Sequence, residues 1–231
     1  MKKILLKLYR LYTIFKFRNL TVRDSMRKIY LDHWWGSKND NLFFSGRGSY
    51  DEHIISPYIE SILEFIKSNK IKTIVDLGCG DFNIGSKIYP FVDKYVACDI
   101  VPELIEYNKK LYVAENLKFI CLDAISEALP DGDILIVRQV FQHLKNSEIQ
   151  SILNKVGKYK YLVVTEGVPN QDFIPNKDHF HGPDIRLSSN SGIVLHTSPF
   201  NLIFEDYYEL LRIDDPKDEA IIVTTVYKLG I

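Results

Sequence analysis

Two hydrophobic periods alternate along the chain. From Asp51 to Lys70 the apolar residues Ile54, Ile55, Tyr58, Ile59, Ile62, Leu63 and Ile66 recur at helical spacing and predict a helix. The β-branched run Ile71–Leu77 predicts a strand that ends in Gly78-Cys79-Gly80, and a helix of about two turns is expected to open near Asn83. Strands at Tyr95–Cys98, Leu117–Leu122, Asp133–Val137 and Tyr161–Thr165 then interleave with helices at Pro102–Tyr112 and from about Asn146 to Val156. Strands alternating with helices of about ten residues predict βαβ units and a mostly parallel sheet covered on both faces. Right-handed crossovers make that a doubly wound three-layer α/β/α sandwich.

The pattern breaks after Glu166. Residues 167–201 are rich in Pro, Gly, Asn, Ser and His without a clear period, too long for a plain connection, and are expected to form a functional loop. Tyr207–Ile213 and Ala220–Leu229, separated by Asp214-Asp215-Pro216-Lys217-Asp218, predict a closing β-hairpin.

Ahead of this domain (51–231) lies an arm, 1–50. Ile4, Leu8, Leu11 and Phe15, with Leu5, Tyr9 and Tyr12 beside them, fall on one helical stripe. Residues 1–28 carry Lys2, Lys3, Lys7, Arg10, Lys16, Arg18, Arg23, Arg27 and Lys28 against Asp24 alone, leaving −9 on residues 29–231 of a chain whose net charge is −1. A basic amphipathic helix of this kind either lies on an anionic membrane surface or a partner, or covers part of its own domain. Lys7 and Arg10 interrupt what would be the apolar core of a signal peptide.

Composition narrows the class. With 46% apolar, 26% charged and 13% aromatic residues, the chain reads as an ordinary globular protein able to bury a core without staples. No run approaches the roughly 18 apolar residues of a spanning helix. Cys79, Cys98 and Cys121 are far apart and read as small buried residues of a reducing compartment. A cytoplasmic protein is expected, with a contact at the inner membrane face through residues 1–28 as the variant.

The densest chemical signal is Val75-Asp76-Leu77-Gly78-Cys79-Gly80-Asp81, a strand running into glycines that let the backbone approach a ligand. Asp99 ends the second strand 23 residues after Asp76, where a carboxylate can accept from ribose hydroxyls. Asp123 ends the third, within reach of an adenine amino group. Any one of these acids could be a cap or turn residue. Three in register point to one crevice at the carboxyl ends of the strands.

Asp76-x-Gly78-x-Gly80, Asp99 and Asp123 resemble the cofactor motifs of class I S-adenosylmethionine-dependent methyltransferases. The final hairpin resembles the end of that fold, which implies a seven-stranded, mostly parallel sheet with an antiparallel last strand. From Trp35 onward the chain resembles a subfamily of small bacterial methyltransferases associated with surface polysaccharide synthesis. The matching pieces are Ser45-Gly46-Arg47-Gly48-Ser49, the glycine turn, Val140-Phe141-Gln142-His143-Leu144 and Pro199-Phe200-Asn201. The resemblance implies cofactor contacts from Ser45, Gly46, Asp76, Gly78, Cys79, Gly80, Asp99, Ile100, Asp123, Ala124 and Gln139. S-adenosyl-L-methionine is the implied cofactor and S-adenosyl-L-homocysteine the product. The implied acceptor is a small molecule or glycan precursor of capsule synthesis, a capsular phosphoramidate being one concrete case. The chain departs from the motif at Phe82, which takes the third glycine position, with Gly85 three residues on, and this predicts a wider turn.

Methyl transfer to a neutral hydroxyl needs an aligned nucleophile and a base. The segment Arg138-Gln139-Val140-Phe141-Gln142-His143 follows the fourth strand, and His143 is the candidate base, its rival reading a structural histidine at a helix start. The loop carries Asp178-His179-Phe180-His181-Gly182-Pro183-Asp184-Ile185-Arg186. His179, His181 and Arg186 are expected to bind substrate there, Arg186 through a fork suited to an anion. No metal site is expected. Trp34, Trp35, Phe43, Phe44 and Tyr50 around Ser45–Ser49 suit a lid that excludes water. An NAD-dependent oxidoreductase is the first alternative, opposed by Asn83 at the last glycine position of G-x-G-x-x-G. A non-catalytic cofactor-binding partner is the second. A nucleic-acid partner is not expected, because the −9 remainder offers no extended positive surface.

Overall fold

The computed structural model describes residues 12–37 and 42–230. Its centre is one seven-stranded sheet in the order β3-β2-β1-β4-β5-β7-β6. The strands are β1 (Thr73–Leu77), β2 (Lys94–Asp99), β3 (Leu117–Cys121), β4 (Ile134–Arg138), β5 (Tyr161–Pro169), β6 (Asp206–Asp215) and β7 (Ala220–Lys228). β1 pairs in parallel with β2 and β4, β3 with β2, and β5 with β4, whereas β7 runs antiparallel to both β5 and β6. The strand order reverses between β1 and β4, which is where open α/β sheets leave a crevice.

Both faces of the central strands are apolar, so helices cover both. On one face Ile74, Ile134, Ile136 and Val163 pack against Tyr58, Ile62 and Phe65 of α2 (Glu52–Ser68). On the other, Val75, Leu77, Leu135 and Val137 meet Ile149, Ile152 and Leu153 of α4 (Asn146–Leu153). The expected three-layer sandwich, with its antiparallel last strand, is the fold observed. Asp51 caps α2 by accepting from the His53 amide. α3 (Pro102–Leu111) opens on proline, whose missing N–H costs nothing at a first turn.

Four expectations need correction. The helix expected near Asn83 is two 3₁₀ turns, Gly85–Lys87 and Tyr89–Phe91. Phe82 adopts φ +62° and its ring is fully buried among Tyr89, Tyr95, Tyr112 and Phe119. Gly85 lies against that ring, where a Cβ would come within 2.2 Å, and Pro90 restricts the residue before it. The α4 helix stops at Leu153, and a separate 3₁₀ turn at Val156–Lys158 holds Gly157. The expected loop starts late, because Gly167, Val168 and Pro169 still pair with Ile222, Ile221 and Ala220 of β7. The arm is broken: residues 12–17 are helical, and α1 (Val22–Leu31) restarts where Thr21 accepts from the Asp24 amide. The stripe positions Ile4, Leu5, Leu8, Tyr9 and Leu11 lie outside the described residues.

Candidate active site

Gly78 (φ +77°) and Gly80 (φ +56°) turn the chain sharply out of β1. The amides of Gly78 and Cys79 both donate to the Cys98 carbonyl, at 2.8 and 2.9 Å, tying the turn to β2. A Cβ on Gly78 would lie 2.3 Å from Val140 Cγ2, and one on Gly80 2.3 Å from Ser45 Oγ. Glycine is therefore required twice over, by left-handed backbone and by contact.

The three acids line the same cavity as this turn. Asp76 accepts from Tyr95 Oη at 2.9 Å, and burial pushes its carboxyl up to about 7 against the pull of that bond. Asp99 accepts from the amides of Gly80 and Val101, each at 3.1 Å, yet burial still raises it to about 6. Asp123 accepts from the Ile125 amide at 3.0 Å. Burial pushes the Cys79 thiol up, which keeps it protonated and poorly nucleophilic.

The arm folds back over the turn through Asp81, a residue to which the sequence reading gave no role although it ends the motif. Ser45 and Asp81 exchange bonds: the Ser45 amide donates to Asp81 Oδ2 at 2.9 Å, and the Asp81 amide donates to Ser45 Oγ at 2.8 Å. Tyr50 donates to the same Oδ2 at 2.9 Å, and Tyr30 Oη lies 3.1 Å from Ser45 Oγ. The aromatic segment thus roofs the turn, with Trp35 against the His143 ring at 4.9 Å between centroids.

At the end of β4, Gln139 sits in left-handed backbone (φ +54°). Such strain in a non-glycine residue concentrates at functional sites. Arg138 is a second residue left without a role. Its guanidinium lies 5.1 Å over the Tyr58 ring and donates to the Gly48 carbonyl. Its Nε is buried without a hydrogen-bond partner. Desolvation lowers its pKa, and none of the ion pairs among the described residues involves it.

His143 ends the 3₁₀ turn Phe141–His143 that follows. Its Nδ1 faces the carbonyls of Gly182 at 3.1 Å and Asp184 at 3.3 Å. Carbonyls only accept, so Nδ1 carries the proton and Nε2, 3.4 Å from the Gln142 side-chain amide, is the accepting nitrogen. Burial drives the imidazole down to about 4, so it is neutral at physiological pH. A third residue missed in the sequence, Glu166 within β5, accepts from the Phe141 amide and holds this turn.

Ser45, Gly46, the glycine turn, Asp99, Ile100, Asp123, Ala124, Gln139 and His143 all line one cavity of about 450 Å³. The three loop residues expected to bind substrate do not. Arg186 is 1% exposed and donates to the carbonyls of Lys177 and Leu144, so its fork pins the loop and is not offered to a ligand. His179 donates through Nε2 to the Asp184 carbonyl at 3.1 Å. His181 lies between Glu148 Oε1 (2.7 Å) and the Leu20 carbonyl (3.0 Å). Buried Asn176 anchors the same loop on Val194, Thr197 and Ser198. The segment of the loop that does reach the cavity is Pro183-Asp184-Ile185 together with Leu187 and Ser188.

Residues 75–158 match a family model described as a methyltransferase domain. A stretch of 111 residues is 32% identical to O-methyltransferase 2 of Dictyostelium discoideum, covering 43% of this chain and 32% of that protein. The chain thus spans about a third of the length of that curated relative. Among solved structures, the N-methyltransferase NodS of Bradyrhizobium japonicum WM9, in complex with S-adenosyl-L-homocysteine, superposes with a TM-score of 0.62 at 12% identity, over 90% of this chain and 100% of that one. Magnesium protoporphyrin IX methyltransferase of Synechocystis PCC 6803 with bound S-adenosylhomocysteine gives 0.57 at 12% identity, over 90% and 100%. Human N-acetylserotonin methyltransferase in complex with S-adenosylmethionine gives 0.55 at 16% identity, over 91% and 66%. The fold is the one these methyltransferases share, and the methyltransferase-domain match covers its central part, residues 75–158.

Proposed function

We propose that this protein transfers a methyl group from S-adenosylmethionine to an oxygen of a small anionic or sugar acceptor, of the kind used to build cell-surface polysaccharide. The observation that carries the reading is that Asp76, Asp99, Asp123 and His143 meet in one cavity around the bare backbone of Gly78–Gly80. The donor set fits the cofactor. Asp99 accepts the Gly80 and Val101 amides through different oxygens and lines the cavity, where a carboxylate suits the two hydroxyls of a ribose. Asp123 stands one strand further along for an adenine amino group. Arg138, whose buried Nε has no partner, and Gln139 line the same cavity beside the glycine turn and suit the amino-acid end. When bound, the cofactor supplies an electrophilic methyl on a sulfonium.

The chain's own residues do the rest. His143 Nε2, the only unprotonated nitrogen of a ring fixed by two carbonyls, accepts the hydroxyl proton as the acceptor oxygen attacks. Trp35 and the Ser45–Tyr50 roof exclude water and hold the acceptor in line. The oxygen acceptor, the surface-glycan role and the capsular phosphoramidate as a special case are supported by the sequence resemblance and, for oxygen, by the name of the Dictyostelium relative.

The test is thermal unfolding with S-adenosylhomocysteine, S-adenosylmethionine and NAD, on wild type and Asp99→Ala, followed by labelled-methyl transfer to candidate sugar and phosphate acceptors. A ligand at about 100 times its Kd stabilises by about 2.7 kcal/mol. A shift with the two sulfur nucleotides, lost in the variant, is the expected result. A shift with NAD alone would replace the reading with hydride transfer.

A further inference from the structure

The arm that precedes the domain has a use beyond roofing the cavity. In helical residues 12–17, Phe17 and Thr13 face inward: Phe17 is 1% exposed, packs edge-on against Trp34 at 5.0 Å and lies against Gly182. The opposite side is unburied. Phe15 is 65% exposed, and Tyr12, stacked on Trp34 at 6.1 Å between centroids, is still 50% exposed, so the arm leaves aromatic surface in water beside a face that is already docked. Each of these rings carries a cation, Lys16 Nζ 5.5 Å over Tyr12 and the Arg18 guanidinium 5.5 Å over Phe15. The adjoining loop repeats the pairing, with Phe180 half exposed beneath Lys145 at 5.4 Å.

The basic residues of α1 are committed elsewhere: Arg27 pairs with Glu103, Lys28 with Asp32 and Arg23 with Glu127. None of the ion pairs among the described residues uses Lys16 or Arg18. Lys2, Lys3, Lys7 and Arg10, outside the described residues, add only charge to the argument, and that charge has one sign.

We propose that this face of the arm docks the protein on an anionic lipid surface, with Phe15 and Tyr12 entering the headgroup layer and Lys16 and Arg18 meeting lipid phosphates. Exposed rings beside cations that none of the described ion pairs uses are the features by which a basic amphipathic segment lies in the interface plane. A nucleic acid fits less well, because the remaining −9 would repel a long polyanion while a flat bilayer touches the arm alone. The dock sits next to the chemistry. Leu20 of the arm accepts from His181, and Phe17 packs on Gly182, whose carbonyl orients His143. A membrane-bound arm would therefore present the cavity to acceptors at the bilayer surface. The docking itself does not depend on the methyl-transfer reading.

The experiment is co-sedimentation of the full chain with phosphatidylcholine vesicles, with and without phosphatidylglycerol at about a third of the lipid, at low and high salt. Binding to the anionic vesicles only, weakened by salt, is expected. Lys16→Glu/Arg18→Glu should lower that binding about tenfold or more. Phe15→Ser should weaken it with its salt dependence unchanged, and both variants should melt as wild type does. No binding to anionic vesicles, equal binding to neutral ones, preference for a DNA or RNA competitor, or a charge-reversed variant that binds as wild type would each overturn the proposal.

Discussion

Glu166 Oε1 accepts the Phe141 amide at 2.8 Å, and Oε2 faces the Gln142 amide at 3.3 Å, so β5 fixes the turn that carries His143. The carboxyl is buried at 3% exposure, and burial lifts it to about 8 although both amides and nearby Arg186 oppose the rise. Removing it leaves two amides unsatisfied in a closed space, at a cost of about 1–3 kcal/mol each. Glu166→Ala is expected to destabilise the protein and, where His143 is the base, to lower kcat more than it raises KM, because the His143 turn is misplaced and the cavity is retained. Glu166→Gln keeps one acceptor and should recover most of kcat. Equal kcat in wild type and Glu166→Ala would show that the contact is structural only.

The same carboxyl sets a pH signature. Its folded value is raised from the usual 4.5 to about 8, so its contribution to stability is complete below about 4.5 and is lost as pH rises through about 8. Wild type should therefore lose melting temperature between those limits by a component that Glu166→Gln lacks. Melting curves of the two proteins at intervals from pH 5 to 9 measure the difference directly.

His143 should titrate in the opposite sense. Burial depresses it from 6.5 to about 4, and its Nδ1 proton is held by two carbonyls. Nitrogen-15 NMR should find the Nδ1–H tautomer, neutral until pH falls towards 4. The stability it lends is present above about 6.5 and disappears as pH falls through about 4. His143→Ala should keep affinity for S-adenosylhomocysteine and lose 10²–10⁴-fold in turnover, the usual worth of a positioned base. An ordinary titration near 6.5, or unchanged turnover on an identified acceptor, would leave His143 a structural residue.

What the sequence made legible follows from how each signal is written. β-branched runs and the acids at their ends are local patterns, so β1 to β4, Asp76, Asp99 and Asp123 can be read directly. The turn after Gly80 was misread because Phe82 serves the core from a left-handed position that a local rule reserves for glycine. Glu166, Arg138 and Asp81 went unassigned because their roles lie in partners far along the chain: Phe141, Gly48 and Ser45. Arg186 misled for the same reason. An arginine among Gly, Pro and Asp looks solvent-facing until its carbonyl partners at Lys177 and Leu144 are known.

Arg186 is a buried pin joining the loop to the end of the His143 turn, so Arg186→Ala leaves two carbonyls short of donors and a void beside Glu166. A loss of about 2–4 kcal/mol is expected. At about 2–4 °C per kcal/mol for a chain of this size, the melting temperature should fall on the order of 10 °C. Arg186→Lys should rescue little, since an ammonium cannot span both carbonyls as a planar fork does. Ligand affinity per folded molecule should hold. A variant that melts normally and binds anionic acceptors poorly would restore the ligand role.

Gly78 offers the sharpest test of the cavity, because two separable effects forbid a side chain there. Its φ of +77° costs an alanine about 1–2 kcal/mol, and the new Cβ would lie 2.3 Å from Val140 Cγ2. Val140 is partly buried on the edge of the core and has room to shrink, so Val140→Ala alone should cost little more than the lost methyls. Gly78→Ala should bind S-adenosylhomocysteine at least about tenfold more weakly, the equivalent of 1.4 kcal/mol. Adding Val140→Ala removes the steric part and leaves the backbone part, so the double variant should recover some of the affinity and never all of it. Calorimetric titration of the four proteins closes the cycle. Strict additivity would mean that the two side chains never meet, and that the turn does not lie against the β4 end as the cavity requires.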